Sequence, residues 1–133
     1  MIGVDTNILL RLLIRDDARQ FIAADGLVNS AERADDPIFV SPIVVVELEW
    51  VMRRTYGLTK AQIVDALDQV SRRTYFVMDD SEAVRAALTA WRTGKADFAD
   101  YLIAALARQR GARTTMTFDK DAAATSSFTL LPN

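Results

Sequence analysis

The stretch IGVDTNILLRLLI, residues 2–14, decides the fold, because an apolar strand in it runs directly into a helix with one acidic residue at the junction. Residues 2–4 predict a short buried strand and residues 6–14 predict the helix. Asp5 then lies just past the carboxyl end of the strand. In open α/β sheets, ligands bind outside the carboxyl ends of the strands. Asp5 is therefore a candidate ligand-binding residue.

The rest of the chain repeats this alternation of short apolar strands and helices. Helix boundaries are marked by Ser41-Pro42 and by the capping box of Thr59 and Gln62, and helix ends by Gly57 and Gly111. The predicted strands cover residues 38–40, 75–78, 114–117 and 128–130, and the predicted helices cover residues 18–34, 42–56, 59–70, 80–91, 97–110 and 119–124.

This alternation predicts an α/β sandwich with a mostly parallel central sheet. No repeat, low-complexity tract or Pro/Gly/Ser-rich linker interrupts it, so residues 1–133 are predicted to form a single domain. Asp119 follows the fourth predicted strand as Asp5 follows the first. Both residues are expected to emerge at the same edge of the sheet.

Composition narrows the possible functions. The chain has 133 residues, a formal net charge of −2, no cysteine and no histidine. Disulfides, thiol catalysis and thiolate metal sites are therefore excluded, and the charge gives no overall attraction for nucleic acid. The apolar N-terminal stretch is interrupted by Asp5 and Arg11 and resembles neither a signal peptide nor a membrane span. The expected location is cytoplasmic.

Four acidic residues are embedded in apolar runs or lie directly beside them: Asp5, Glu47, Asp100 and Asp119. Desolvating a carboxylate is costly unless it is paired, hydrogen-bonded or bound to a metal. Together the four predict one acidic pocket. Without His or Cys its ligands are all oxygen atoms, a set that favours Mg²⁺ or Mn²⁺.

Three of these positions also have a simple structural explanation. Asp5 and Asp119 could cap the helices that follow them, and Asp97 with Asp100 resembles a capping pair at a helix start. Asp97 is thus either an additional metal ligand or a helix cap. Polar residues nearby could orient the carboxylates and water, namely Thr6, Asn7, Ser41, Thr117 and Asp121.

Glu47 lies in the middle of a predicted helix, where no cap is needed. Its neighbours at three and four residues are Ile43, Val44, Trp50 and Val51, which are all apolar. This spacing predicts that Glu47 faces the buried side of the helix and that Glu49 faces solvent. A buried ion pair with an arginine is the alternative explanation for Glu47.

Four segments together resemble the successive motifs of PIN-domain proteins, and more closely those of VapC-type toxins from bacterial toxin–antitoxin pairs. The resemblance runs from residue 2 to about residue 130. The segments are VDTNILLRLLIRDD, SPIVVVELEWVMRRTYGL, ADFADYLIAALARQRGA and TTMTFDKD, which contain Asp5, Glu47, Asp100 and Asp119 in turn.

The resemblance implies a three-layer α/β/α sandwich and a Mg²⁺- or Mn²⁺-dependent endoribonuclease. Asp5 and Asp100 would be the principal metal ligands, and Glu47 and Asp119 would complete the acidic pocket. Asn7 and Thr117 match polar supporting positions. The resemblance also implies that the protein cleaves structured RNA such as tRNA, binds a cognate antitoxin and forms a homodimer. The Trp50 face and the helix at residues 59–70 are candidate contacts for the antitoxin and the second copy.

Two alternatives belong to other functional classes. A phosphoryl-transfer domain could use Asp5 as nucleophile. A phosphatase of that kind would have a second acidic residue at position 7, where this chain has Asn7. A receiver domain expects a lysine ending its last strand, and residues 125–133 contain none. The other alternative is a non-catalytic protein-binding module whose carboxylates only cap helices and pair with arginines.

Overall fold

The computed structural model describes all 133 residues, which form two compact units, residues 1–79 and 80–133. Along the chain the elements alternate as the sequence predicts. The first unit contains β1 (Ile2–Gly3), α1 (Thr6–Leu13), α2 (Ala18–Arg33), β2 (Ile38–Phe39), α3 (Pro42–Arg54), α4 (Lys60–Arg72) and β3 (Phe76–Val77). The second contains α5 (Ser81–Thr93), α6 (Phe98–Gln109), β4 (Thr115–Thr117), α7 (Lys120–Ala123) and β5 (Phe128–Leu130).

All the paired strands are parallel, which confirms the predicted α/β class. They form two sheets, so β1 and β4, the strands before Asp5 and Asp119, do not belong to one sheet as expected. In the first unit the strand order is β1-β2-β3, and Ile2, Ile38 and Phe76 share one register position. In the second unit β4 pairs with β5, and Thr115 lies opposite Phe128. Every connection between paired strands contains a helix, as parallel pairing requires.

The core of each unit is built from the apolar stripes of its helices. In the first unit Ile38 on β2, Leu48 on α3 and Ile63 on α4 are fully buried. In the second unit Phe98 at the start of α6 is fully buried, and its ring centroid lies 5.5 Å from that of Trp91 on α5. No helix in the structure is both long and apolar enough to cross a bilayer.

Local signals in the sequence predict the ends of several helices. The Ser41 hydroxyl accepts a hydrogen bond from the Ile43 N–H at 3.1 Å, and Pro42 occupies the first helical position of α3. Thr59 and Gln62 form the predicted capping box of α4. Gly57 has a φ of +62° and allows the chain to turn sharply between α3 and α4.

A polar network that was not predicted from the sequence joins α1 to the turn that follows α3. Arg11 Nη1 donates to Asp16 Oδ1 at 2.8 Å, and the Tyr56 hydroxyl donates to Asp16 Oδ2 at 2.9 Å. Arg11 Nε also donates to Gln20 Oε1 at 2.6 Å. The Tyr56 hydrogen bond, helped by Arg11, lowers the pKa of Asp16. The network fixes the packing of α1 against α3.

Candidate active site

Asp5 occupies the junction between β1 and α1 and is the N-cap of the helix. Its Oδ1 accepts a hydrogen bond from the Ile8 N–H at 3.1 Å, and the side chain is exposed. Asp5 therefore caps α1 through Oδ1, as its position before the helix predicts. The other carboxylate oxygen has no hydrogen-bond partner in the structure. One oxygen thus fixes the rotamer while the second is available for a ligand.

Asp5 and Asn7 line an open cleft of about 750 Å³ in the first unit. Both side chains are exposed, whereas Thr6 between them is half-buried and does not line the cleft. The far wall comes from α2, where small side chains keep the space open. The lining residues are Gly3, Val4, Asp5, Asn7, Ile8, Gln20, Ala23, Ala24 and Leu27.

The prediction that Glu47 is buried is wrong. Glu47 is exposed on α3, and the buried carboxylate of this helix is Glu49, which is 4% exposed. The buried stripe of α3 consists of Val45, Leu48, Glu49 and Met52. Because apolar residues surround Glu47 on nearly every side of this helix, their spacing did not determine which side faces the core.

Glu49, which was predicted to face solvent, is instead held by an ion pair. Its Oε1 accepts a hydrogen bond from Arg53 Nε at 2.7 Å, one turn further along α3. The Arg53 side chain is 40% exposed, so the pair extends from the interior to the surface. The spacing of opposite charges four residues apart was the signal in the sequence. The ion pair that was considered for Glu47 therefore belongs to Glu49.

In the second unit Asp97 and Asp100 form the start of α6. Asp97 is the N-cap, and its backbone N–H donates to Asp100 Oδ2 at 3.3 Å. The prediction of a capping pair is thus confirmed. Asp100 is half-buried and Asp97 is exposed. Neighbouring Phe98 and Tyr101 are buried and fix this turn of the helix against α5.

The pKa of Asp100 is raised above the usual aspartate value. Partial burial is the main cause, and the negative charges of Asp97 and Asp119 add to it, while the hydrogen bond from the Asp97 N–H acts in the opposite direction. The three acidic residues therefore interact electrostatically within the second unit. A carboxylate with this environment is stabilised by a cation.

Asp119 lies just past β4 and is the N-cap of α7. Its Oδ1 accepts a hydrogen bond from the Asp121 N–H at 2.8 Å, and its own N–H donates to the Thr117 hydroxyl at 2.9 Å. Thr117 therefore contacts the backbone of Asp119, and its supporting role at a metal site stays a prediction. The Asp119 side chain is exposed.

The residues present fit a hard divalent cation by their chemistry. All the candidate ligands are carboxylates, the type of ligand that Mg²⁺ and Mn²⁺ prefer. Partial burial and the negative charges of Asp97 and Asp119 disfavour the ionised form of Asp100, and a bound cation would offset this effect. Within neither unit do three or more acidic side chains form a ready-made metal cluster. Asp5 and Glu47 belong to the first unit, and Asp97, Asp100 and Asp119 to the second.

A comparison with known protein families matches residues 2–127 to the PIN domain. The match covers nearly the whole chain and includes every candidate acidic residue. A search of curated proteins finds no match. PIN domains are generally nucleases and typically use divalent metal ions, which agrees with the carboxylate chemistry described above. With its parallel strands, intervening helices and acidic residues at the strand and helix ends, the chain belongs to the PIN domain family.

Proposed function

We propose that this protein is a Mg²⁺- or Mn²⁺-dependent endoribonuclease that hydrolyses phosphodiester bonds in RNA. The observation that carries the proposal is the match of residues 2–127 to the PIN domain, and the grouping of Asp97, Asp100 and Asp119 in the second unit supports it. Perturbed carboxylates in an acidic environment are characteristic of functional sites.

Each acidic residue has a role in the proposed site. Asp5 and Asp100 are the principal metal ligands, and Glu47 and Asp119 complete the acidic set. A divalent cation bound there would activate water and stabilise the negative charge that develops on the phosphoryl oxygen. Asp97 contributes negative charge beside Asp100 and caps α6.

Backbone contacts hold the carboxylates in place before a ligand arrives. The Ile8 N–H fixes one oxygen of Asp5, the Asp121 N–H fixes one oxygen of Asp119, and the Asp97 N–H fixes one oxygen of Asp100. Such preorganisation lowers the entropy that binding must remove. Thr117 accepts a hydrogen bond from the Asp119 N–H, and Asn7 lines the same cleft as Asp5.

The resemblance to VapC-type toxins extends the proposal to a biological role. The protein would act in the cytoplasm as the toxin of a toxin–antitoxin pair, form a homodimer and be inhibited by a cognate antitoxin. Structured RNA such as tRNA would be its substrate. These assignments rest on the order of the four motifs in the sequence.

A non-catalytic binding module is the second candidate function, because Asp5, Asp97 and Asp119 all cap helices. Capping alone predicts that asparagine, an equally good cap, replaces Asp5 or Asp119 without consequence. A phosphoryl-transfer domain that uses Asp5 as nucleophile predicts a covalent phosphoprotein instead. Neither alternative predicts metal-dependent RNA cleavage.

The decisive experiment is cleavage of total cellular RNA by the purified protein with Mg²⁺, Mn²⁺ or EDTA. Asp5→Asn and Asp100→Asn are the test variants, and Asp25→Asn on α2, which can still accept the hydrogen bond from Asn29, is a charge-matched control. Discrete fragments that require metal and are absent only in the test variants would support the nuclease. Equal cleavage by the wild type and both test variants would contradict it.

A further inference from the structure

Three residues lie along one exposed face of α3, outside its buried stripe. Glu47, Trp50 and Arg54 follow one another at spacings of three and four residues, so they share one face of the helix. With a rise of 1.5 Å per residue, Trp50 lies about 4.5 Å along the axis from Glu47, and Arg54 about 10.5 Å from it.

Trp50 is a large aromatic residue that the fold leaves in solvent. Its side chain is 52% exposed, whereas the other tryptophan, Trp91, is 4% exposed in the core of the second unit. The Arg54 guanidinium carbon lies 5.7 Å from the centroid of the Trp50 ring. The contact keeps the cation beside the ring, and cation–π contacts of this kind are found in proteins that bind single-stranded nucleic acid.

Arg54 keeps its positive charge available for an external anion. It is exposed and takes part in none of the ion pairs of the structure, in contrast to Arg53, which is paired with Glu49. An aromatic platform next to an unpaired arginine offers a nucleotide a stacking surface for its base and a cation for its phosphate.

We propose that Trp50 and Arg54 form a binding subsite for an unpaired nucleotide of the RNA substrate, next to Glu47. The base stacks on the exposed part of the Trp50 ring, and Arg54 contacts the adjoining phosphate. The proposal rests on the proposed ribonuclease function, since Glu47 belongs to that site. It implies single-stranded substrate at this position, because a base within a duplex does not expose its face for stacking.

Stacking tolerates any sequence, because every base has an aromatic face. The subsite therefore contributes affinity and selects unpaired RNA without selecting a particular base. The net charge of −2 makes this local contribution important, because it gives no overall electrostatic attraction for RNA.

The test is a binding titration of a fluorescently labelled, single-stranded oligouridylate with the full chain in EDTA, measured by fluorescence anisotropy. Trp50→Ala is expected to weaken binding by about tenfold, the effect of losing one base stack, and Trp50→Phe by less. Arg54→Gln should weaken binding and reduce its dependence on salt. The matched controls are Ile22→Ala and Arg33→Gln, exposed positions on α2 that should bind as wild type.

Intrinsic fluorescence gives a second readout that locates the contact. Unlabelled oligouridylate should quench wild-type emission, whereas emission from Trp50→Phe, which retains only buried Trp91, should be unchanged. Equal affinity of Trp50→Ala and wild type would overturn the proposal. Sedimentation gives another contradicting outcome: wild type is a dimer, Trp50→Ala is a monomer, and both bind RNA with the same affinity. The Trp50 face would then bind a second copy of the chain.

The two proposals fail in distinguishable ways. Binding through Trp50 without metal-dependent cleavage of any RNA would leave the subsite in place and refute the nuclease. Metal-dependent cleavage that is unaffected by Trp50→Ala, with unchanged affinity, would retain the nuclease and refute the subsite.

Discussion

Asp5 has two oxygens with different environments, and this difference allows its structural and catalytic roles to be separated. Oδ1 accepts the hydrogen bond that caps α1, and the other oxygen has no partner. Asparagine caps a helix as well as aspartate does but binds a divalent cation far more weakly.

Asp5→Asn should therefore keep the free energy of unfolding within a few tenths of a kcal/mol while RNA cleavage falls by about 100-fold or more. Asp5→Ala should lose both activity and about 1 kcal/mol of stability. Urea unfolding and a cleavage assay on the same preparations measure the two effects. Full activity of Asp5→Asn would restrict Asp5 to capping.

The raised pKa of Asp100 predicts a particular pH dependence. The folded state binds this proton more tightly than the unfolded state, so stability falls as the pH rises from the usual aspartate pKa to the raised value. Thermal unfolding of metal-free protein across this range should show the decline. Asp100→Asn should abolish it and should have a higher melting temperature than wild type at neutral pH.

A bound cation favours the ionised carboxylate and therefore opposes this effect. Excess Mg²⁺ should flatten the decline for wild type and leave Asp100→Asn unchanged. A decline that persists in excess Mg²⁺ would mean that Asp100 is not a metal ligand.

Glu47 and Glu49 form a matched pair on one helix, one exposed and one buried. Glu47→Gln should reduce cleavage without a change in stability. Glu49→Gln should keep activity but lose about 1–3 kcal/mol, because it weakens a hydrogen bond between charged groups. Chemical unfolding and cleavage assays of both variants measure these opposite effects on stability and activity. If only Glu49→Gln lost activity, Glu49 and not Glu47 would belong to the active site.

At the scale of elements, the turn between α5 and α6 depends on glycine. A Cβ at position 94 would overlap the Tyr101 hydroxyl and lie 2.8 Å from the Ala90 carbonyl oxygen. The Tyr101 hydroxyl also accepts a hydrogen bond from the Ala96 N–H at 3.4 Å, and the ring is buried. The packing of α5 against α6, which supports Asp97 and Asp100, leaves no room there.

Gly94→Ala should therefore destabilise the protein by about 1–3 kcal/mol through overpacking. Gly26→Ala is the matched control, because a Cβ at position 26 meets nothing within 4 Å and lies within α2. This control should be neutral or stabilising, since alanine favours helices over glycine. Thermal unfolding of both variants measures this difference in stability. Equal melting temperatures would show that the Tyr101 side chain shifts to accommodate the added Cβ.

At the scale of the whole molecule, metal binding and folding should be linked. A ligand that binds only the native state adds RT ln(1 + [L]/Kd), or about 2.7 kcal/mol at 100 times Kd. Mg²⁺ or Mn²⁺ should therefore raise the melting temperature of wild type by several degrees. Both Asp5→Asn and Asp100→Asn should lose this shift, whereas Asp25→Asn should retain it. An equal shift in all four proteins would indicate nonspecific ion binding.

The elements were predictable because each one is marked by neighbours in the sequence. The strand at residues 128–130 and the capping box at Thr59 were predicted with their observed positions, and the other predicted boundaries differ by a few residues. The capping of Asp5, Asp97 and Asp119 was also foreseeable, since an N-cap is a local contact with the next turn of helix.

The sequence by itself determined the α/β alternation, the helix caps, the all-oxygen chemistry and the motif order, because each depends on residue type and short spacing. Only the tertiary structure decided that Glu49 is buried and Glu47 exposed, since the rotation of α3 is set by packing against α1 and α4. The Arg11–Asp16–Tyr56 network was likewise unpredictable, because Tyr56 lies 40 residues from Asp16 and only folding brings their side chains together.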